Sequence, residues 1–394
     1  MTPSPPPSRW LLLACSCVVL LAACGKSTPP PPPPPTPVTA DQFAQQYAEA
    51  QCDRQGRCDL LAPYLVDQCK AKTADLIHAE DVTRAIAAGR LVYDEAQARS
   101  CLDGIQNTRC LAQAEDEAVK ASCQAALHGT VQPGAACSFL YECAAGRCGG
   151  KEDTTCPSTC PEVLNAGDTC STFRGFPCND SAGLRCSGGM CVLPGDLNAD
   201  CVDNNGCKTG LLCVDSKCVP LAKEGSGCSQ DSSCADGLYC EGDVCVARKR
   251  EGAKCSGSPQ EVDAALRGSQ CQEGLTCQGA GLDSEGNFLP GTCVKPTKEG
   301  EACQNTPADV QVYLTGCLSG LNCTNGRCTL PPSTGSCDPN DYYSCRPDQT
   351  YCSLSASTCQ TLKPDGAACD IPPECASDNC PDGTCVPALV YCHE

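Results

Sequence analysis

The sequence predicts two kinds of structure in one chain: small disulfide-rich repeats, built as short β-hairpin modules in tandem, preceded by a small all-α domain pinned by disulfides. Three observations predict it. Cysteine fills 43 of 394 positions, above the roughly 8–10% that marks a disulfide scaffold, and 36 glycines and 32 prolines supply turns. A cysteine pattern returns again and again from residue 134 onward. Between Val38 and Thr130, in contrast, proline occurs once and apolar residues fall at helical spacing.

Composition sets the first bounds. Aromatic residues make up only 4% of the chain, so a large apolar core is not expected over most of its length. This cysteine content belongs to an oxidising compartment. A metal-thiolate protein would repeat C-x2-C knuckles or combine cysteine with histidine; here no C-x2-C pair occurs, and the histidines are His78, His128 and His393. The formal net charge of -19 argues against nucleic acid or an anionic lipid surface as partner, since both would be repelled. The aspartates are scattered among Gly, Asn and Ser, where they cap turns and keep the chain soluble.

The first segment, residues 1–23, reads as a signal peptide. Arg9 and the amino terminus precede Trp10 to Ala23, "WLLLACSCVVLLAA", an apolar run too short to span a bilayer. Leu21-Ala22-Ala23-Cys24 resembles the lipobox of bacterial lipoproteins. That resemblance implies a diacylglyceryl group on the Cys24 thiol, cleavage before Cys24, and anchoring by two or three acyl chains, each buried CH2 contributing about 0.8 kcal/mol. Gly25 is not the aspartate that holds such proteins in the inner membrane, so the resemblance points to the outer membrane, on its periplasmic face or at the cell surface. Residues 24–38 then form a spacer: Pro29 to Pro37 predicts a polyproline II rod of about 28 Å. Setting aside Cys15, Cys17 and Cys24 leaves an even number of cysteines, which permits complete pairing.

Residues 39–130 predict the helical domain. "TADQFAQQYAEAQC" opens with Thr39 as N-cap and Gln42 completing a capping box. Further helices are expected over "PYLVDQCKAKTADLI", "DEAQARSCLDGI" and "LAQAEDEAVKASCQAALHG", the last closed by Gly129 as C-cap. Cys52, Cys58, Cys69, Cys101, Cys110 and Cys123 suffice for three bridges, and the sequence leaves their pairing open. His78 and His128 lack metal-ligand spacing.

Residues 134–392 predict about eight units beginning at Cys137, Cys170, Cys201, Cys228, Cys255, Cys303, Cys337 and Cys369. The third and fourth, with Cys201, Cys207, Cys213, Cys218 and Cys228, Cys234, Cys240, Cys245, share C-x5-C-x2-G-L-x-C-x4-C. In "CVDSKC" a turn at Asp215-Ser216 sets Cys213 opposite Cys218 on one face of a hairpin. Both thiols then reach back to earlier cysteines, which favours pairing 1-3/2-4 or 1-4/2-3 over 1-2/3-4. The Gly before each Leu (Gly183, Gly210, Gly237, Gly274, Gly320) supplies an unusual backbone conformation, and the Leu is the only sizeable apolar side chain. Such units have almost no core beyond their bridges. Cys160 and Cys392 are left over once each unit takes four. Two inserts, "SPQEVDAALRG" and "TPADVQVYLTG", carry Ser258 and Thr306 as N-caps, each followed by proline, and predict short helices ended by Gly268 and Gly316.

The pattern resembles the Dickkopf N-terminal cysteine-rich repeat and, more loosely, EGF-like modules, as found in tandem in cysteine-rich lipoproteins of some Gram-negative bacteria. That resemblance implies binding or spacer modules without catalysis. The residues agree: no nucleophile elbow, zinc-protease, phosphate-loop or dinucleotide motif is present. Asp196, Asn198, Asp200 and Asp203 lack the glycine and glutamate of an EF-hand loop and read as turn residues. Arg248 to Arg250 reads as a solvated linker. The expectation is a lipid-anchored envelope protein that binds a protein or polysaccharide ligand, adheres or displays, with no cofactor, metal or catalytic residue. Its rivals are a disulfide-rich protease-inhibitor array and an enzyme housed in the helical domain.

Overall fold

The computed structural model describes residues 37–386 except 78, 111–112, 147, 149–156, 171–177, 180–181, 230–232, 257–269, 308, 339–343 and 381–382. Five helices come first: α1 (Ala40–Arg57), α2 (Val66–Leu76), α3 (Ala79–Ala87), α4 (Glu95–Asn107) and α5 (Gln113–Ala126). Thr39 caps α1 with its carbonyl, which accepts from Gln42 and Phe43; its side chain makes no cap bond. Asp94 caps α4 as an N-cap aspartate does, its carboxylate accepting from the Gln97 amide at 2.9 Å.

The helical region is not purely α. Strand β1 (Leu91–Tyr93) pairs antiparallel with β2 (Leu127–Gly129), so Gly129 is a strand residue and not the C-cap that the sequence suggests. A Cβ on Gly129 would lie 2.3 Å from the Cys143 carbonyl oxygen, and this close approach is what requires glycine there. Phe43, Val82, Leu91, Leu102, Ile105 and Leu127 form the core. Phe139 of the first cysteine unit enters the same cluster.

After Gly129 the structure is many short antiparallel hairpins and disulfides. Hairpins 185–187/190–192, 211–214/217–220, 238–241/244–247 and 322–324/327–329 place the third and fourth cysteines of their units directly opposite: Cys186 with Cys191, Cys213 with Cys218, Cys240 with Cys245, Cys323 with Cys328. Two further contacts recur. The residue six before the first cysteine bridges in parallel to the second cysteine, as in Gly195 with Cys207 and Ala222 with Cys234. The residue three before it, glycine in most units, donates to the carbonyl of the fourth cysteine, as Gly225 does to Cys245 at 2.8 Å with φ +80°. In the third unit Asn198 fills this place at φ +68°, the non-glycine residue best suited to that region.

The insert at residues 306–316 is not a helix. Val310–Tyr313 is a strand paired with Gly281–Asp283 of the preceding unit, within a sheet that also holds 254–256, 276–278 and 288–294. Val-Gln-Val-Tyr is rich in β-branched and aromatic residues, and pairing with a waiting edge wins over a Thr-Pro helix start. The insert at 257–269 lies outside the described residues.

Units four to seven fold back onto the helical region. Arg109 meets Asp236, the Cys110 amide donates to Glu273 at 2.9 Å, and Asp59 accepts from the Ser319 amide at 2.6 Å. The Tyr64 hydroxyl donates to the Gly320 carbonyl, and Arg346 lies 5.5 Å over the Tyr64 ring.

Candidate functional site

Cys24 and the residues around it lie outside the described residues, as do Cys156, Cys392 and the side chain of His78. In the helical region Cys52 is joined to Cys69, Cys58 to Cys110 and Cys101 to Cys123. These bridges tie α1 to α2, the end of α1 to the end of α4, and α4 to α5. In the third unit Cys201 joins Cys213 and Cys207 joins Cys218; in the fourth, Cys228 joins Cys240 and Cys234 joins Cys245. The order is first to third and second to fourth.

The first unit corrects the cysteine assignment. Cys137 joins Cys148 and Cys143 joins Cys160, and the Gly134 amide donates to Cys160 at 2.9 Å as the equivalent glycine does to the fourth cysteine elsewhere. Cys160 is therefore the fourth cysteine of its unit and is not left over. The additional cysteine there is Cys156. The glycine three residues before most first cysteines, visible in "PGAAC", "AGDTC", "EGSGC" and "EGEAC", is the signal that identifies it.

Several sulfur triads, such as Cys201, Cys207 and Cys213, lie close enough for a metal, but each sulfur named is half of a bridge and offers no thiolate. The aspartates of "DLNADCVDNNG" are turned to other partners. Asp196 pairs with Lys208 and Asp200 with Lys217, both at 2.6 Å. Asp203 accepts from the Ser187 hydroxyl and the Gly188 amide, fastening the third unit to the hairpin of the second. Burial pushes its carboxyl up, yet the bonds from Ser187, Gly188 and Gly206 outweigh burial and hold it below the ordinary value. Lys249, expected in a solvated linker, pairs with Glu241 at 2.7 Å and lies over the Tyr239 ring. Tyr239 is fully buried, so in this unit the residue after Leu238 supplies the apolar mass.

One concave feature of the described residues is a cleft of about 710 Å³ between α1, α5, β2 and the first unit. Helical spacing on α1 brings Phe43, Tyr47, Gln51 and Arg54 to one face, with the Phe43 and Tyr47 rings 5.8 Å apart. Among its lining residues Phe43, Ile77, Ile105 and Leu127 are buried, Tyr47 and Tyr141 half-buried, and Lys120 and Gln124 of α5 exposed. The first unit closes one wall because Arg90, after α3, reaches across to Glu142 at 2.7 Å and to the Ala136 carbonyl. Burial raises the Glu142 carboxyl, but bonds from Arg90 and the Ser138 amide outweigh it and hold it low.

No protein-family model, curated protein or solved structure matches this chain. Its disulfides place it in an oxidising, extracytoplasmic compartment. Among the described residues no helix is long and apolar enough to cross a membrane.

Proposed function

We propose that the chain is a lipid-anchored, non-catalytic protein of the cell envelope. Cys24 carries the anchor at an outer membrane, residues 24–38 hold the rest off the lipid, and the helical domain with its tandem Dickkopf-like repeats binds a protein or polysaccharide, adheres or displays. The observation that carries this reading is the lipobox-like Leu21 to Cys24 after an apolar run in a chain whose later cysteines go into bridges. Thirty-eight of them are disulfide-bonded in the described residues, and Cys156 and Cys392 alone are the ones after Cys24 that fall outside. That even remainder is consistent with a Cys24 kept for another use.

A non-catalytic role is supported by what the cysteines and the carboxylates of the described residues do. The cysteines are oxidised, and the carboxylates with lowered values are engaged in salt bridges and turn bonds. Replacing Cys24 with Ala is expected to abolish labelling by a fatty-acid probe and to move the protein from the membrane fraction to the soluble one. Labelling that persists in the variant overturns the reading.

A further inference from the structure

We propose that the cleft between the helical region and the first unit binds a short stretch of a neutral polysaccharide, its ring faces against Tyr47 and Tyr141 and its hydroxyls toward Gln51 and Gln124. This site rests on the reading that the helical domain with its repeats binds a protein or polysaccharide, and it is independent of the anchor at Cys24.

The polar groups line the cleft from two sides. On α1, Tyr47 and Gln51 lie one turn apart on the face that lines it; Lys120 and Gln124 of α5 and His128 of β2 line it as well. Among the described residues the Tyr47 hydroxyl, the Gln51 and Gln124 amides, the Lys120 ammonium and the His128 ring make no hydrogen bond or ion pair. They are solvated in the free protein and open to a ligand. A side-chain amide both donates and accepts, as a sugar hydroxyl does, so Gln51 and Gln124 can exchange water for ligand without leaving a group unpaired.

The aromatic side chains suit the other half of a sugar. Tyr47 and Tyr141 are half-buried and line the cleft. A pyranose carries C–H groups on its faces and hydroxyls around its rim: the faces fit the electron-rich face of an aromatic ring, and the rim fits the amides. The volume of about 710 Å³ lies within the roughly 300–1,000 Å³ of ligand sites.

Other ligand classes fit less well. An alkyl chain gains little, because Phe43, Ile105 and Leu127 are already 2%, 1% and 8% exposed and leave little apolar surface to cover. An anionic sugar gains little from Arg54, which is engaged with the Arg109 carbonyl, and is repelled at longer range by a chain with 47 acidic against 28 basic residues.

The test is titration calorimetry of cellohexaose, maltohexaose and chitohexaose, with hexagalacturonate as the acidic counterpart, against the full chain carrying Cys24→Ala. That substitution leaves every described bridge in place. At least one neutral sugar is expected to bind a single site, and raising salt from about 0.05 to about 0.5 M should change its affinity less than about twofold. Tyr47→Phe, Gln51→Ala and Gln124→Ala should each weaken it about two- to tenfold. Ala125→Trp, at an exposed lining position on α5, should fill the cleft and remove binding, with unchanged circular dichroism and full oxidation showing that the variants fold. If no neutral sugar binds, the proposal falls and the ligand of the chain is a protein. If a neutral sugar binds Ala125→Trp undiminished, the cleft is not the site, although the chain still binds polysaccharide. Binding confined to hexagalacturonate overturns the proposal, as does a proline-rich peptide, the other ligand of aromatic-lined grooves, binding in place of the sugars.

Discussion

The helical region and the cysteine units use the same bond for different ends. In the helical region, Phe43, Val82, Leu91, Leu102, Ile105 and Leu127 already bury one another, with Cys101 a single cysteine among them. In the third unit the buried cluster is Cys201, Cys207 and Cys218, and in the last it is Cys369, Cys375 and Cys385. There the sulfur atoms are the core, as small domains that cannot bury enough apolar surface require. A bridge therefore adds to a fold that exists in one region and constitutes the fold in the other.

The sharpest way to break this contrast is to remove one bridge from each. Cys101→Ala with Cys123→Ala should cost roughly 2–4 kcal/mol and leave α4 packed on α5 through Leu102, Ile105 and Val119. Cys207→Ala with Cys218→Ala should abolish the third unit, because two of the three side chains in its buried cluster go. Hydrogen exchange is the measurement: amides of residues 199–219 should lose protection entirely, while those of α4 and α5 exchange only somewhat faster. Equal losses in both regions would show that bridges carry the helical region too.

What was legible in the sequence follows the range of the interaction. The helix at Glu95–Asn107 and the hairpin turn at Asp215-Ser216 are specified by neighbours in sequence, and both are readable. The Cys213–Cys218 register follows from that turn. The pairing of Tyr93 with Leu127 is not readable, because a three-residue strand gives no periodicity until its distant partner is known. The same holds for Val310–Tyr313, whose helix-like start is local and whose partner strand belongs to another unit. The cleft was invisible for a further reason: Phe43 and Tyr47 read as an ordinary helix face, and Tyr141 joins them only because Phe139 anchors the first unit in the helical core.

Two of the seams between the regions respond to acid in opposite senses. At the first unit, Glu142 has a lowered value, so its contribution is present above the ordinary carboxylate range and is lost as pH falls. At the sixth unit, burial pushes Asp59 up to about 6 from 3.8, opposed by the bond from the Ser319 amide. A raised carboxyl means that the folded state prefers the proton. The penalty is absent below about pH 4, grows as pH rises to about 6 and is full above it. Asp59→Asn keeps an oxygen for Ser319 and a residue suited to φ +54°. It should stabilise the protein by about 1–3 kcal/mol at pH 7 and by close to nothing at pH 4, read from guanidinium unfolding without reductant. A gain that is the same at both values would mean that Asp59 is not ionised against burial.

The smallest expected effect tests whether the units also differ among themselves in how well the local chain fits its turn. Asp215 and Ser216 sit at φ +49° and +60°, whereas the matching pairs are Gly188-Gly189, Gly242-Asp243 and Asn325-Gly326. Both central residues of such a turn need positive φ, and the third unit alone among these four meets that need without glycine. A non-glycine residue there costs about 1–2 kcal/mol, of which glycine's greater freedom when unfolded returns roughly 0.5–1. Ser216→Gly should therefore stabilise the third unit by about 0.5–1 kcal/mol, seen as slower exchange of the Cys218 and Cys201 amides, which bond across this turn to Ala199 and Ser216. The helical region should not respond. If exchange of the Cys218 and Cys201 amides is unchanged, the bridges alone hold the hairpin and turn chemistry adds nothing measurable to a unit whose core is sulfur.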